Sequence, residues 1–459
     1  MDAVVVGAGP AGLFSAITLA RRGHRITVVD RDSGPPRAGR WHRRGVMQFH
    51  HAHTFRGQVV DILREDLPDV LATLLGAGTA VVDDMAGRPV ALLCRRSTFD
   101  EALRSAAVAE PNVSMRVGHA DGVRVDQGRV NAVVVDGAAL DADVVIDATG
   151  RSGRFTPRSH PSEHGECGIV YATRQYRLRA GATPGPTNAP IGLSLGYDRH
   201  FAIAFQHDAR TFSVTFAHDG ADPRLRALRH ADVFAAAAAA VPGLAEWTDP
   251  RRSRPTGDVL PAGRIHNRYR AQTDAAGRPW TPGLISVGDA VCTTTPLAGR
   301  GVTLALMQAG ELVRALDTDH DTDSVTTRFD AWCTERIKPW FDDHCHADAD
   351  RARRWAGGDV DVTRRLPSDL IVAASAAAPE IAVATEPFAR MDAPPASLDS
   401  VEPTARQCYA RGFRPPLPEG PSRDDLAEVC ARTAPGVSAA DTHARRRTTT
   451  ERTSRRVTA

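Results

Sequence analysis

The stretch Gly7-Ala8-Gly9-Pro10-Ala11-Gly12 constrains this chain more than any other. It follows Ala3 to Val6, an apolar run with no polar residue, as expected of a strand buried on both faces of a parallel sheet. After it, Leu13 to Arg22 reads as a helix ending at Gly23, and Ile26 to Val29 reads as a second buried strand. That strand runs into Asp30, eighteen residues beyond Gly12. These are the parts of a dinucleotide-binding βαβ unit. Gly7 makes the tight turn, Gly9 lets the backbone approach a pyrophosphate at the helix N-terminus, and Gly12 permits close helix–strand packing. Asp30 then serves as acceptor for a ribose hydroxyl.

A nicotinamide dehydrogenase completes its nucleotide domain within the next hundred or so residues, whereas this chain returns to the theme much later. Val144 to Ile146 is a third buried strand, followed by Asp147-Ala148-Thr149-Gly150-Arg151. A fourth, Leu284 to Val287, leads into Gly288-Asp289-Ala290, then Pro296, Gly299, Arg300 and Gly301, and the helix Val302 to Leu316. With these motifs the chain resembles, over residues 1 to about 320, the FAD-dependent monooxygenases that share the para-hydroxybenzoate hydroxylase fold, on the epoxidase and hydroxylase side that carries Ala-Thr-Gly. The resemblance implies that Asp289 binds the ribityl chain and that the turn Pro296, Gly299, Gly301 lies against the isoalloxazine ring. A helix N-terminus there would stabilise negative charge at flavin N1 and the C2 oxygen. Arg96, in Arg-Ser-Thr-Phe-Asp-Glu-Ala-Leu, is similar to an arginine that approaches the FAD phosphates. Arg43-Arg44-Gly45-Val46-Met47-Gln48 with His50, His51 and His53 looks like a loop near the flavin in a branch that includes polyether epoxidases, with Met47 in place of the usual proline.

The cofactor contacts expected on this basis are Gly7, Gly9, Pro10, Ala11 and Gly12, then Asp30 and Arg31. Arg44 and Arg96, Thr149 and Gly150, and Gly288, Asp289, Pro296, Gly299, Gly301 and Val302 complete the set. Arg44, Pro296 and His53 are the candidate catalytic residues, those that orient the flavin and its oxygen adduct. Aromatic hydroxylases of the fold usually carry Asp-Gly where this chain has Thr149-Gly150, and no second glycine fingerprint follows a strand. Electrons therefore come either from NAD(P)H docking transiently or from reduced flavin supplied by a separate reductase.

Residues 1–159 and 276–320 are read as one FAD-binding domain, and 160–275 as an inserted antiparallel sheet that binds substrate. A helical region follows at 321–434, then a disordered basic tail at 435–459. The fold class is α/β: a Rossmann-like FAD domain of the glutathione-reductase type with the inserted sheet and C-terminal helices. Gly168 to Tyr176, Ile191 to Tyr197, Phe201 to Gln206 and Thr211 to Ala217 are the sheet strands, and Val233 to Val241 is a helix. Tyr171, Arg174 and Phe205 are expected to line the substrate pocket, and Trp340, Phe341 and Trp355 to pack the C-terminal helices onto the body. No metal is expected: the histidine loop has no nearby Cys or carboxylate at ligand spacing, and Asp342-Asp343-His344-Cys345-His346 with Asp348 and Asp350 reads as a solvated helix face.

Composition narrows the chemistry. Lys338 is the only lysine, which removes Schiff-base and P-loop chemistry and also the halogenase branch, which needs a lysine in its N-terminal part. Basic and acidic residues number 57 and 55, giving no reason to expect nucleic acid as partner. Seven scattered cysteines with no CxxC pair suit a reducing compartment. Asp2 stands where a signal peptide has a basic region, and no apolar run reaches the roughly 20 residues needed to span a bilayer, so a cytoplasmic protein is expected. The resemblance implies a monooxygenase, and the Arg-rich composition suits specialised metabolism, such as antibiotic biosynthesis. Such an enzyme would insert one atom of O2 into a small organic substrate by hydroxylation or epoxidation through a flavin C4a-hydroperoxide. The alternative is an O2-independent FAD reductase, dehydrogenase or cyclase of the same fold.

Overall fold

The computed structural model describes residues 1–434 apart from 38, 44 and 157–159; the expected role of Arg44 and the basic tail lie outside the described residues. Five parallel strands form the central sheet, in the order Leu284–Ser286, Val144–Asp147, Asp2–Val6, Arg25–Asp30, Val113–Val117. Three strands far apart in sequence are thereby brought side by side, with Val5 paired to both Val28 and Ile146. Period-two alternation between two covered faces explains why Ala3 to Val6 is apolar throughout. Ala3 and Val5 pack with Leu13, Phe14 and Ile17 of the helix Pro10–Arg21, and with the helix Gly301–Thr318 beside it. Val4 and Val6 face the other way, onto Val130, Val133 and Val135 of a three-stranded antiparallel meander, Ala120–Asp126, Arg129–Val135 and Ala138–Asp141. The first helix begins at Pro10, three residues before the apolar run, because proline is suited to the first helical turn.

The second sheet runs Gly192–Tyr197, His200–Gln206, Thr211–Asp219, Ile169–Leu178, Ser253–Pro255, with Leu260–Ala262 also paired to Ile169–Leu178. Its central strand is buried on both faces. Phe212, Val214 and Phe216 pack under the helices Ala231–Ala240 and Pro242–Thr248. The last helix, Arg423–Thr433, joins that same layer through Leu426, Ala427 and Cys430, and Arg423 reaches the buried carboxylate of Asp222 at 2.7 Å.

The helix Lys338–Trp355 corrects one expectation. Its acidic and imidazole groups do not form a solvated face: Asp343, His344, Asp348 and Asp350 are all buried. The helix packs against the strands Ser162–Glu166, His266–Arg270 and Cys292–Thr293, and each buried carboxylate finds a partner on another turn or segment. Arg300 meets Asp343 at 2.8 Å, Asn267 donates to Asp348 at 2.7 Å, and Arg354 meets Asp350 at 2.7 Å. Trp340 and Phe341 pack into the main core and Trp355 beside Tyr171 and Ile169, as the sequence implies. Among the described residues no helix is long and apolar enough to cross a membrane.

Candidate active site

A cavity of about 450 Å³ lies between the first sheet and the second, reaching from the glycine loop to the inner face of the antiparallel strands. At its nucleotide end the loop is built as the glycine spacing requires. Gly7 has φ +109°, and a Cβ there would stand 2.3 Å from the Ala148 carbonyl, so side chains are excluded twice over. A Cβ on Gly12 would stand 2.0 Å from the Gly7 carbonyl and 3.0 Å from the Ala148 methyl, so this glycine serves packing and does not line the cavity. Gly9 differs: a Cβ there meets nothing within 4 Å. The space over Gly9, at the N-terminus of the helix Pro10–Arg21, is open to a bound phosphate group.

Asp30 lines the cavity, and its carboxylate also organises the loop by accepting from the Ala8 amide at 2.6 Å and the Asp32 amide at 2.8 Å. Its other partner is Arg43, which sequence reading passed over in favour of its neighbour. The Arg43 side chain is 3% exposed and joins three segments, donating to the Ala8 carbonyl (2.8 Å), Asp30 (2.9 Å) and the fully buried Asp100 (2.9 Å). Arg96 lines the cavity and pairs with Asp100 on the next turn of its helix. Nothing in the sequence marks Arg43 as a buried hub, because its partners come from other segments.

Pro10, Ala11, Arg31, Thr149, Gly150, Asp289, Pro296, Gly299, Gly301, Val302 and His53 also border the cavity. Gly288 stands one layer behind, where a Cβ would stand 3.1 Å from the Ala11 methyl. Thr149 is fixed by Asp147, which accepts from its amide at 2.9 Å and its hydroxyl at 2.6 Å. The side chain of Asp289 has no hydrogen-bond donor on this chain among the described residues, and burial raises its pKa. A carboxylate left without donors at a cavity wall is suited to polyol hydroxyls. These features fit FAD: open space at the phosphate loop, an unshared carboxylate, and the N-terminus of the helix Gly301–Thr318 beyond the Pro296–Ala298 turn.

At the other end, Tyr171 and Phe205 line the cavity with Thr173, Ile203 and Thr215. Arg174 does not, which corrects the expectation. Side chains alternate along a strand, so the face bearing Tyr171 and Thr173 cannot bear Arg174. Its Nε donates to the Gly257 carbonyl at 3.1 Å, and its guanidinium lies 5.9 Å from the centre of the Tyr176 ring. The histidine loop is pinned to the sheet: Gln175 donates to the His50 carbonyl at 3.0 Å, and His51 Nδ1 lies 3.0 Å from the Thr173 hydroxyl, itself 2.9 Å from that of Thr215. His53 Nδ1 donates to the His51 carbonyl at 3.0 Å, leaving Nε2 as the acceptor. Desolvation pulls His50 and His51 down to about 4, and His53 well below the ordinary value, so all three rings are neutral near pH 7.

This has a measurable consequence. With folded values depressed, the unfolded chain takes up protons first as pH falls below the ordinary 6.5, and stability is lost down to about 4. His50 is 8% exposed, and its Nε2 has no partner. Thermal melts should show Tm falling from pH 7 to pH 5, with a shallower fall in His50→Gln; identical slopes in parent and variant would refute the assignment.

A family model described as pyridine nucleotide-disulphide oxidoreductase matches residues 1–200. The chain is 25% identical over 351 residues to 6-methylpretetramide 4-monooxygenase of Streptomyces rimosus, covering 67% of this chain and 73% of that protein. It is 26% identical over 174 residues to the FAD-dependent monooxygenase atnJ of an Arthrinium species, covering 36% of this chain and 39% of that one. Among solved structures, the flavin-dependent brominase Bmp2 superposes with a TM-score of 0.58 at 15% identity, over 74% of this chain and 85% of that one, a likeness of fold alone.

Proposed function

Starting from a chain that is a flavin-dependent oxidoreductase with FAD as cofactor and the para-hydroxybenzoate hydroxylase fold, we propose that it is a monooxygenase acting on a small, largely uncharged organic molecule. The observation that carries this reading is the continuity of one cavity from the open space at Gly9 to Tyr171, Thr173 and Phe205. Bound FAD, once reduced, supplies the activation of O2, and one oxygen atom passes to the substrate as a hydroxyl or an epoxide.

The chain's own part is binding, orientation and exclusion of water. Gly7, Gly9 and the first helix would hold the pyrophosphate, Asp30 and Asp289 the sugar and ribityl hydroxyls, and the Pro296–Gly301 turn the ring. The aromatic and apolar groups at the sheet end leave few places for water, while Tyr171, Thr173 and neutral His51 offer hydrogen bonds that fix a substrate's orientation. His53, neutral and with Nε2 free, would accept a hydrogen bond in the cavity and has no proton on Nε2 to donate. Lys338, the only lysine, is paired to Asp342 and Glu163 outside the cavity, which supports oxygenation over halogenation in this chain. Likeness to the Streptomyces monooxygenase supports a specialised metabolite as substrate.

The reading is tested with holoenzyme supplied with NADH, NADPH or photoreduced flavin and a panel of neutral polycyclic phenols and alkenes. O2 uptake should match product formation, and the effective donor shows whether a separate reductase is required. Full turnover without oxygen would transfer the chain to the reductases, dehydrogenases or cyclases of this fold.

A further inference from the structure

Arg56 ends the short strand Phe55–Arg56 and runs beneath the Pro296–Ala298 turn, donating to the Ala298 carbonyl at 2.6 Å. Its Nε is shielded from solvent and has no hydrogen-bond partner. The charged neighbour acting on it is another cation, Arg300, and together with burial this lowers the guanidinium to about 10. Arg300 itself is compensated: it meets Asp343 at 2.8 Å and lies over the Trp340 and Phe388 rings, 4.6 and 4.7 Å from their centres. Asp343 also accepts from the Ser368 hydroxyl, and the adjacent His344 is buried and neutral. Around Arg56 and Arg300 stand the carboxylate of Asp343, that of Asp369, which also acts on Arg300, and an uncharged imidazole, and among the described residues no carboxylate pairs with Arg56.

Arg56 is half-buried with its Nε screened from water, and a partly screened cation without a counter-charge is less stable than a paired one. The missing negative charge has an obvious direction of approach. Pro296, Leu297 and Gly299, the neighbours of the carbonyl that Arg56 grips, line the cavity, and the turn opens into the N-terminus of the helix Gly301–Thr318. A fixed positive charge behind this wall acts on whatever the wall touches, and it favours the more negative of two redox forms.

We infer that Arg56 is a positioning residue for the flavin: it fixes the Pro296–Gly299 turn through the Ala298 carbonyl and sets a positive potential behind it that favours reduced over oxidised FAD. The inference rests on the FAD assignment, and it gives the unpaired guanidinium a partner that arrives with the cofactor's electrons. Arg300, neutralised by Asp343, contributes less.

Dissociation constants of the apoprotein for oxidised FAD and, anaerobically, for photoreduced FAD test this directly, with the potential of bound FAD measured against a reference dye. Arg56→Gln keeps a donor for Ala298 but removes the charge, Arg56→Met removes both, and Arg56→Lys keeps the charge. Gln and Met should weaken reduced FAD about tenfold more than oxidised FAD, which for a two-electron couple lowers the potential by about 30 mV; Lys should stay near the parent. Equal weakening of both redox forms in Gln and Met, or no change in either, would overturn the inference and leave Arg56 as a fastener of the turn. Failure of the FAD assignment would appear separately, as absence of flavin binding by the unsubstituted chain.

Discussion

Replacing Arg43 with Met should cost about 3–5 kcal/mol of stability, a fall in Tm of roughly 3–5 °C in a chain of this size. The guanidinium is 3% exposed and touches the carboxylates of Asp30 and Asp100, the latter wholly buried. Removing it leaves Asp100 with only Arg96, leaves the Ala8 carbonyl without its Arg43 donor, and strips Asp30 of its counter-charge while the Ala8 and Asp32 amides stay on it. The loss extends beyond one contact, because Arg43 ties the loop carrying the histidines to the glycine loop and to the helix Arg96–Ala109. FAD retention should fall with stability. Arg43→Met combined with Asp100→Asn should recover part of the Tm, since the stranded charge is then gone. A single variant melting within 2 °C of the parent would mean that the hub carries little energy.

The second large effect separates binding from packing within six residues of loop. Gly9→Ala adds a methyl to a position with φ −83° and nothing within 4 Å, so the apoprotein should melt within about 2 °C of the parent. The same methyl occupies the space that a pyrophosphate needs, and FAD affinity should fall by at least about 100-fold. Gly12→Ala should do the reverse in order of events: its methyl meets the Gly7 carbonyl at 2.0 Å, so the apoprotein is destabilised before any cofactor is offered. Thermal melts of both apoproteins, with flavin titrations, distinguish the two. Normal FAD binding by Gly9→Ala would displace the phosphate from this loop.

The two sheets differ in how much of them could be read in advance. Runs such as Ala3 to Val6 and Val144 to Ile146 are buried on both faces and are therefore apolar without a break, and Gly7 and Gly12 beside them stand where a Cβ would meet backbone. Those constraints are local, and the parallel sheet follows from them. Which face of Ile169–Leu178 meets the cavity is not a local property. Both faces are covered, one by helices and one by the site, so Tyr171 and Arg174 look equally eligible until the helices Ala231–Ala240 and Arg423–Thr433 are seen to occupy the second. The helix Lys338–Trp355 misleads for a related reason. Aspartates and histidines read as a solvated face unless one knows that Arg300, Asn267 and Ser368 arrive from elsewhere to partner Asp343 and Asp348. Arg43 and Arg56 were missed likewise: their partners lie at Asp100 and Ala298, far along the chain.

On the proposed function, oxygen from O2 passes to an organic molecule bound in this cavity. Turnover of an accepted substrate under isotopically labelled O2 in ordinary water, followed by mass spectrometry of the product, tests it most directly. The product should carry one labelled oxygen atom, with the second recovered as water. Product formed at the same rate with no label, or in the absence of O2, would contradict it.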